Sequence, residues 1–230
     1  MLKLSEVTLS YPDKTKAIDR ASFALGQAEN IALIGENGAG KTSLLLAIVG
    51  ILEPESGTIE IDGTLLNKTT VNELRRRTGF VFQNPDDQLF MPLIYDDVAF
   101  GCRNAGLDEV ETKRRVEETL ASLQISQLKN RSSLKLSGGE KRMAAIATVL
   151  VTNPCLLLFD EPTAFLDPKA KRALIAALKQ MKQPKIIATH DMAFAAEVCD
   201  RVIVLKDGRV TADDDFSLLE NQEFLQSQGL

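Results

Sequence analysis

The stretch from residue 35 to residue 42 limits the possible folds of this chain more than any other. It reads Gly-Glu-Asn-Gly-Ala-Gly-Lys-Thr and fits the pattern GxxxxGK(S/T). The apolar run Ile31–Ile34 before it predicts a buried strand, and the residues from Ser43 to Val49 predict an apolar helix. A strand and a helix on either side are the context in which this pattern marks a phosphate-binding loop. The sequence therefore predicts a P-loop fold that binds a nucleoside triphosphate, rather than a chance glycine turn.

The chemistry expected of this loop is local. Backbone N–H groups of a glycine-rich loop can converge on an anion, and the N-terminus of the next helix adds about half a positive charge. We expect Lys41 to reach the β- and γ-phosphates of ATP and Thr42 to offer its hydroxyl to Mg²⁺. The other loop residues expected to contact the nucleotide are Asn37, Gly38, Ala39, Gly40 and Ser43.

Two adjacent carboxylates end a second apolar strand, in the run Leu156–Glu161. The carboxyl edge of an open α/β sheet is where ligands bind, so acids placed there are functional candidates. We expect Asp160 to orient Mg²⁺ or its waters. We expect Glu161 to act on the water that attacks the γ-phosphate, as a base or by positioning it. A plain helix-entry acid ahead of Pro162 is the structural alternative.

Strands and helices alternate along much of the chain, which predicts a parallel sheet covered by helices. We expect an α/β P-loop NTPase with a mainly parallel sheet, an N-terminal antiparallel β subdomain and an inserted α-helical subdomain. The alternating pattern of Leu2–Leu25 predicts the antiparallel part. The expected division of the single domain 1–230 gives a catalytic core at 1–84 and 155–212, a helical subdomain at 85–154 and a C-terminal tail at 213–230.

Composition and charge argue against several classes of function. The net charge is −5 and basic residues are scattered, so nothing predicts a protein that coats nucleic-acid phosphates. The three cysteines are far apart, which argues against a zinc site or a disulfide framework. No apolar run approaches the ~20 residues needed to cross a bilayer. The first residues, with an acid at Glu6, do not resemble a signal peptide.

A second glycine motif lies upstream of the acidic strand, at Leu136–Glu140, which reads Leu-Ser-Gly-Gly-Glu and opens a predicted helix. Ser-Gly-Gly at a helix start is another anion nest, in which Ser137 can bond a phosphate oxygen. Two nests for one γ-phosphate are hard to explain within one chain, and they suggest a composite site closed by another copy. A local serine N-cap is the simpler alternative.

With this motif the chain closely resembles the nucleotide-binding subunits of ABC transporters over nearly its whole length. The motifs that carry the resemblance occur in the family's order and are together highly specific. They are Tyr11 (adenine-stacking aromatic), Gly35–Thr42 (Walker A), Gln83 (Q-loop), Leu136–Glu140 (signature), Leu156–Glu161 (Walker B and glutamate), Leu166–Asp167 (D-loop) and His190 (switch histidine).

The resemblance implies roles within one chain. Tyr11 would stack on adenine, although a turn or core tyrosine is the alternative. Gln83 would reach Mg²⁺ and the attacking water. His190, the only histidine, would contact the γ-phosphate and hold the water in line. The catalytic residues expected are Glu161, His190, Gln83 and Lys41, and the expected metal ligands are Thr42, Gln83 and Asp160.

The resemblance also implies roles between chains. Ser137, Gly138 and Gly139 would close over the nucleotide of another copy. Asp167 would lie across the dimer interface, although capping the helix that begins at Pro168 is a competing role.

Two residues depart from the family pattern. The fifth signature residue is usually Gln and here is Glu140. Since either side chain can lie near the helix start, we expect activity to survive. The D-loop carries the bulky Phe165 where the family more often has a small residue, and the sequence offers no account of it.

Residues Gln83–Phe90 resemble the Q-loop extension of energy-coupling-factor importers, which take up cobalt, nickel, biotin and other vitamins. In such subunits this segment receives a coupling helix of the membrane partner. The apolar run Leu89–Ile94 would form the docking patch, unless it packs inside the helical subdomain. The partners implied are another ABC ATPase subunit, in a homodimer or heterodimer, and an integral membrane transporter subunit docked on Gln83–Ile94. The location implied is the cytoplasmic face of the cell membrane, and no nucleic acid is expected.

An importer motor is the function that these features favour. The main alternative is a non-transport ABC ATPase in a soluble complex, but those of DNA repair carry a very long coiled-coil insertion. Here only about 95 residues separate Thr42 from Ser137, without sustained heptads. A small-molecule phosphotransferase would have no use for a signature motif. Intact Glu161 and His190 argue against an inactive heterodimer partner, although Glu140 leaves that possibility open. No residue indicates the cargo.

Overall fold

The computed structural model describes residues 1–230 and contains ten strands in two sheets, together with eight α-helices. No helix combines the length and the apolar character that spanning a membrane requires. The strands are β1 (Leu2–Ser10), β2 (Lys16–Leu25), β3 (Asn30–Ile34), β4 (Ser56–Ile61), β5 (Thr64–Leu65), β6 (Thr78–Val81), β7 (Leu156–Asp160), β8 (Lys185–Ala188), β9 (Arg201–Lys206) and β10 (Arg209–Asp214). The helices are α1 (Lys41–Ile48), α2 (Val71–Arg77), α3 (Ile94–Asn104), α4 (Glu109–Ser122), α5 (Gly138–Leu150), α6 (Pro168–Gln180), α7 (Met192–Val198) and α8 (Gln222–Gln228).

The larger sheet has six strands in the order β10-β9-β3-β8-β7-β6. The five strands from β9 to β6 run parallel, and β10 is an antiparallel edge strand. The mainly parallel sheet predicted from the sequence is therefore confirmed. The edge strand β10 was not predicted, because its residues are polar or half-exposed and its last two were assigned to the C-terminal tail.

The smaller sheet is antiparallel, in the order β2-β1-β4-β5. Its central strand β1 places Leu2 opposite both Leu25 on β2 and Ile61 on β4. This confirms the antiparallel N-terminal part that the alternation of Leu2–Leu25 predicted.

Two hydrophobic cores lie on opposite faces of the six-stranded sheet. Along β7, Leu157 and Phe159 belong to one core while Leu156 and Leu158 belong to the other, as the two-residue period of a strand requires. The first core packs α3 to α7 against the sheet, and the second packs α1 and the antiparallel sheet against the opposite face. The helical stretch 85–154 thus shares its core with the sheet, and the exact subdomain boundaries stay a prediction.

The apolar run Leu89–Ile94 is not one exposed patch, so that expectation needs correction. Leu89 and Ile94 are buried in the first core, and only the residues between them reach the surface. The reason is local: Ile94 begins α3 and faces inward. Asp97 on that helix accepts hydrogen bonds from the N–H groups of Phe90 and the residue after it, both at 2.9 Å, which turns the chain.

The topology brings distant residues together at one edge of the sheet, where the parallel strands end. Loops that leave carboxyl ends of neighbouring strands lie side by side, so the residues after β3, β6, β7 and β8 converge. The site residues that follow these strands are the phosphate loop, Gln83, Glu161 and His190.

Candidate active site

The loop between β3 and α1 is shaped to hold an anion. Gly38 and Gly40 have φ angles of 85° and 104°, in the left-handed region that favours glycine. A Cβ atom at Gly40 would lie 2.4 Å from the carbonyl oxygen of Ala17, so no larger residue fits there. A Cβ atom at Gly38 would meet nothing within 4 Å. The loop therefore leaves room for a phosphate at the start of α1, where backbone N–H groups favour negative charge.

Lys41 is only 7% exposed, although it is a lysine at the start of a helix. Its Nζ donates to the carbonyl oxygens of Gly35, at 2.7 Å, and Glu36, at 3.0 Å. Burial lowers the pKa of Lys41, and the nearby charges of Glu161 and Asp160 oppose that shift. The ammonium group is thus held inside the loop by neutral acceptors, which it can exchange for phosphate oxygens.

Thr42 and Asp160 connect α1 to the end of β7. Thr42 Oγ1 donates to Asp160 Oδ2 at 2.8 Å. Burial raises the pKa of Asp160, while the Thr42 hydrogen bond lowers it. The other carboxylate oxygen, Oδ1, is buried without a hydrogen-bond partner. An unpartnered carboxylate oxygen beside a hydroxyl fits Mg²⁺, which takes oxygen ligands and keeps several waters. No group of three or more His, Cys, Asp or Glu side chains that could hold a metal ion occurs, so phosphate and water oxygens would have to help complete the shell.

Glu161 and His190 face each other where β7 and β8 end. The N–H of Glu161 donates to the carbonyl oxygen of Ala188 at 2.8 Å, and Glu161 has a φ angle of 43°, uncommon for this residue type. His190 Nδ1 lies 2.9 Å from Glu161 Oε2, a distance at which a protonated imidazole pairs with the carboxylate. Apart from this contact the buried Glu161 Oε2 has no hydrogen-bond partner, whereas the His190 side chain is 68% exposed. Such a carboxylate can accept a hydrogen bond from an attacking water.

Tyr11 lies in the turn between β1 and β2 and is 40% exposed. Its N–H donates to the carbonyl oxygen of Thr15 at 2.9 Å. Its hydroxyl shares a 2.6 Å hydrogen bond with Ser43 Oγ, the residue after the phosphate loop. The residue is thus a turn tyrosine that also borders the phosphate loop, and it is not in the core. Stacking on adenine stays a prediction.

A cavity of about 470 Å³ collects most of the predicted single-chain site residues. It is also lined by Thr15, Lys16 and Ala17, which lie in no motif and were not predicted. Of the loop residues predicted to contact the nucleotide, Ala39 alone does not line the cavity, since it is buried and its N–H donates to the carbonyl oxygen of Glu36. The predicted residues that line the cavity are Tyr11, Asn37, Gly38, Gly40, Lys41, Thr42, Ser43, Gln83, Asp160, Glu161 and His190.

The signature loop lies apart from this cavity. Ser137 is exposed and caps α5: its Oγ accepts from the Glu140 N–H at 3.3 Å, and Glu140 Oε2 accepts from the Ser137 N–H at 2.8 Å. The local N-cap considered as an alternative is therefore present. A separate groove of about 570 Å³ is lined in part by Ser137, Gly139, Glu140 and Asp167. Within one chain, the signature residues do not line the cavity that holds the phosphate loop.

The D-loop lies beside the signature loop. Asp167 Oδ1 accepts hydrogen bonds from the N–H groups of Lys169 and Ala170, both at 2.8 Å, so the competing capping role is also present. Phe165 is 93% exposed and has a φ angle of 62°. A Cβ atom at Gly138 would lie 3.8 Å from the carbonyl oxygen of Phe165. Signature loop and D-loop thus form one continuous surface.

Comparison with known proteins identifies this combination of motifs. A family model described as ABC transporter matches residues 18–164. The energy-coupling factor transporter ATP-binding protein EcfA of Carboxydothermus hydrogenoformans is 41% identical over 232 residues, which cover 100% of this chain and 86% of that protein.

Two solved structures show the same fold. That of cbiO1 from Clostridium perfringens, described as part of the ABC transporter complex cbiONQ, has a TM-score of 0.88 and 37% identity, and the match covers 97% of this chain and 92% of that one. The dimeric post-hydrolysis structure of the ATP-binding cassette MJ0796, bound to ADP and Pi, has a TM-score of 0.84 and 27% identity, covering 94% and 99%. The chain therefore belongs to the ABC transporter family, in which it is an ATP-binding subunit that hydrolyses ATP.

Proposed function

We propose that this chain pairs with a second ABC ATPase subunit, identical or related, and that ATP hydrolysis in the pair energises uptake of a metal ion or vitamin through a membrane partner. One observation carries the proposal: the catalytic residues line one cavity while the signature residues line a different, exposed groove. The similarity to EcfA and to a subunit of the cbiONQ complex supports the importer type.

The cavity has a distinct group for each part of ATP. The ring of Tyr11 stacks on the adenine. Ser43, which is hydrogen-bonded to Tyr11, reaches the α-phosphate. Lys41 leaves the two loop carbonyls that now hold it and donates to the β- and γ-phosphates. Thr42 Oγ1 and Asp160 would hold Mg²⁺, which supplies positive charge beside the phosphates when bound.

Hydrolysis depends on residues at the strand ends. The buried Oε2 of Glu161 accepts a hydrogen bond from the attacking water and can receive its proton. His190, exposed beside Glu161, donates to a γ-phosphate oxygen and holds the water in line. Gln83 lines the same cavity and orients the water from the side of the helical stretch.

A second chain completes the site. Ser137 and Gly138 are exposed at the N-terminus of α5, where N–H groups and the helix dipole attract an anion. They do not line their own cavity, so they close over the γ-phosphate of the partner together with Gly139. Phe165 and Asp167 lie on the same surface and contact the partner subunit.

The membrane partner docks on exposed aromatic residues next to the Q-loop. Phe90 and Phe100 form an edge-to-face pair with ring centres 5.2 Å apart, and both are exposed. Phe82 and Leu93 add exposed apolar area from the same part of the chain. Docking there holds the chain at the cytoplasmic face of the membrane. This patch replaces the broader Gln83–Ile94 surface expected from the sequence.

Co-purification with the membrane subunit tests this function. Phe90→Asp puts a charge on the patch without disturbing the core, since Phe90 is exposed. We expect it to lose the native membrane subunit while ATP affinity stays unchanged. Val110→Asp, at an exposed apolar residue on α4, is the matched control and should retain that subunit. Recovery of only soluble partners with the native chain would contradict the transport function.

A further inference from the structure

The residues Phe82–Leu93, which we call the Q-loop segment, join β6 to α3 and are tied to α5. Gln88 Nε2 donates to the carbonyl oxygen of Ala145 on α5 at 2.9 Å. Lys141 Nζ, also on α5, donates to Asp86 Oδ1 at 2.6 Å. The part of the chain that carries the docking patch is therefore bonded to the helix that Ser137 caps.

The deepest of these links is made by Arg142. Its Nη1 donates to the carbonyl oxygen of Phe82 at 2.6 Å, and its Nη2 donates to that of Gln83 at 2.5 Å. Arg142 is 1% exposed, and its Nε is buried without a hydrogen-bond partner. Burial lowers its pKa to about 10, and the charge of Asp160 opposes that shift. Burying a guanidinium on neutral acceptors costs stability, so the packing of the fold alone does not explain this residue.

Arg142 connects two parts of the site. It is on α5, five residues after Ser137, which puts it little more than one helical turn from the signature. It also holds the backbone of Gln83, and Gln83 lines the cavity that contains the phosphate loop. We propose that Arg142 is a positioning residue that makes the Q-loop segment and the signature helix move as one unit. On the basis of the proposed function, the membrane partner displaces the Q-loop segment, and this link transmits the displacement to Gln83 and Ser137 together.

The link can be tested by measuring whether a variant changes kcat while leaving KM for ATP nearly unchanged. Arg142→Met keeps the apolar volume and removes the donors, so Gln83 and α5 can move separately, while Lys41 and Thr42 are untouched. We expect kcat to fall about tenfold or more, with KM for ATP changed less than about threefold. Arg142→Lys, which can reach one carbonyl, should recover part of kcat. Arg172→Met, an exposed arginine on α6, is the control.

A fluorescent reporter tests the link without transport. The chain contains no tryptophan, so Phe82→Trp provides a single probe on the Q-loop segment. With Arg142→Met we expect lower indole anisotropy and stronger acrylamide quenching than with Arg142 present, and Arg142→Lys should lie between the two. If indole mobility and kcat both match those of the Arg142 protein, the proposal is overturned. A higher KM with unchanged kcat would also overturn it. A loosened probe, together with a native chain that recovers only soluble partners, would support the link and contradict the transport function.

Discussion

Thr42 and Asp160 hold each other through one 2.8 Å hydrogen bond, and the second oxygen of Asp160 has no partner. Replacing Thr42 by Val keeps the shape of the side chain and removes the donor. A buried acceptor then loses its only partner, which costs about 1–3 kcal/mol. We expect a lower free energy of unfolding in urea and loss of Mg²⁺-dependent ATP hydrolysis. Thr42→Ser, which retains the hydroxyl, should keep both, and a fully active Thr42→Val would contradict the assigned role.

The ring and the hydroxyl of Tyr11 can be tested separately for their contributions to ATP binding. Tyr11→Phe loses the hydrogen bond to Ser43 and keeps the ring. Tyr11→Leu loses both. Since stacking of an aromatic ring on a base contributes about 1–3 kcal/mol, we expect Tyr11→Leu to weaken ATP binding roughly tenfold or more. Tyr11→Phe should bind ATP nearly as well as the native chain. Titration with a fluorescent ATP analogue measures the affinity of both variants. Equal losses of affinity in Tyr11→Phe and Tyr11→Leu would rule out stacking.

Most residues that line the cavity could be found in the sequence because each lies in a motif with its own spacing. Thr15 and Lys16 could not, although they line the cavity. They reach it because β2 passes over the phosphate loop, where the carbonyl oxygen of Ala17 lies against Gly40. That contact depends on how the two sheets pack, and no local pattern encodes it.

Helices α5 and α6 approach closely at one point. A Cβ atom at Gly139 would lie 2.5 Å from the Cβ atom of Ala170. We expect Gly139→Ala to push the start of α5 away from α6 and to lower ATP turnover while ATP affinity is retained. Adding Ala170→Gly should restore part of the turnover, because the extra methyl group then has space. A double-mutant cycle on kcat measures this coupling, and strictly additive effects would show that the two helices do not interact here.

Elements with strong hydrophobic patterns were predicted to within two residues at each end. Strand β3 (Asn30–Ile34) begins one residue before the predicted Ile31–Ile34, and α1 (Lys41–Ile48) overlaps the apolar helix predicted from Ser43 to Val49. Helices α2 and α3 were not predicted, since α2 ends in three arginines and α3 begins inside an apolar run that was assigned to the surface. The direction in which Ile94 faces follows from tertiary packing, and sequence periodicity over so few residues does not define it.

At the scale of the whole molecule, the two cores divide the chain by the faces of its central sheet. One core joins α3 to α7, of which α5 begins at the signature, to the strand that ends in Asp160. The other supports the phosphate loop through α1. The cavity lined by the phosphate loop lies at the sheet edge between them, so ATP bound there would contact parts of both. The sequence could predict the composite site from its second anion nest, but the separation of that nest from the cavity is visible only in the fold.

The central claim is that ATP hydrolysis requires two chains. Glu161→Gln keeps the size of the side chain and removes the carboxylate that we propose acts on the attacking water. The most direct measurement is the molecular mass of this variant with ATP and Mg²⁺, by size exclusion with light scattering, for the chain alone and with its native ATPase partner. Glu197→Gln, at an exposed carboxylate on α7, is the control. We predict that Glu161→Gln abolishes turnover and forms a stable ATP-bound dimer, whereas the control turns over ATP and forms no lasting dimer. A Glu161→Gln chain that stays monomeric, with a native chain that hydrolyses ATP as a monomer, would contradict the account.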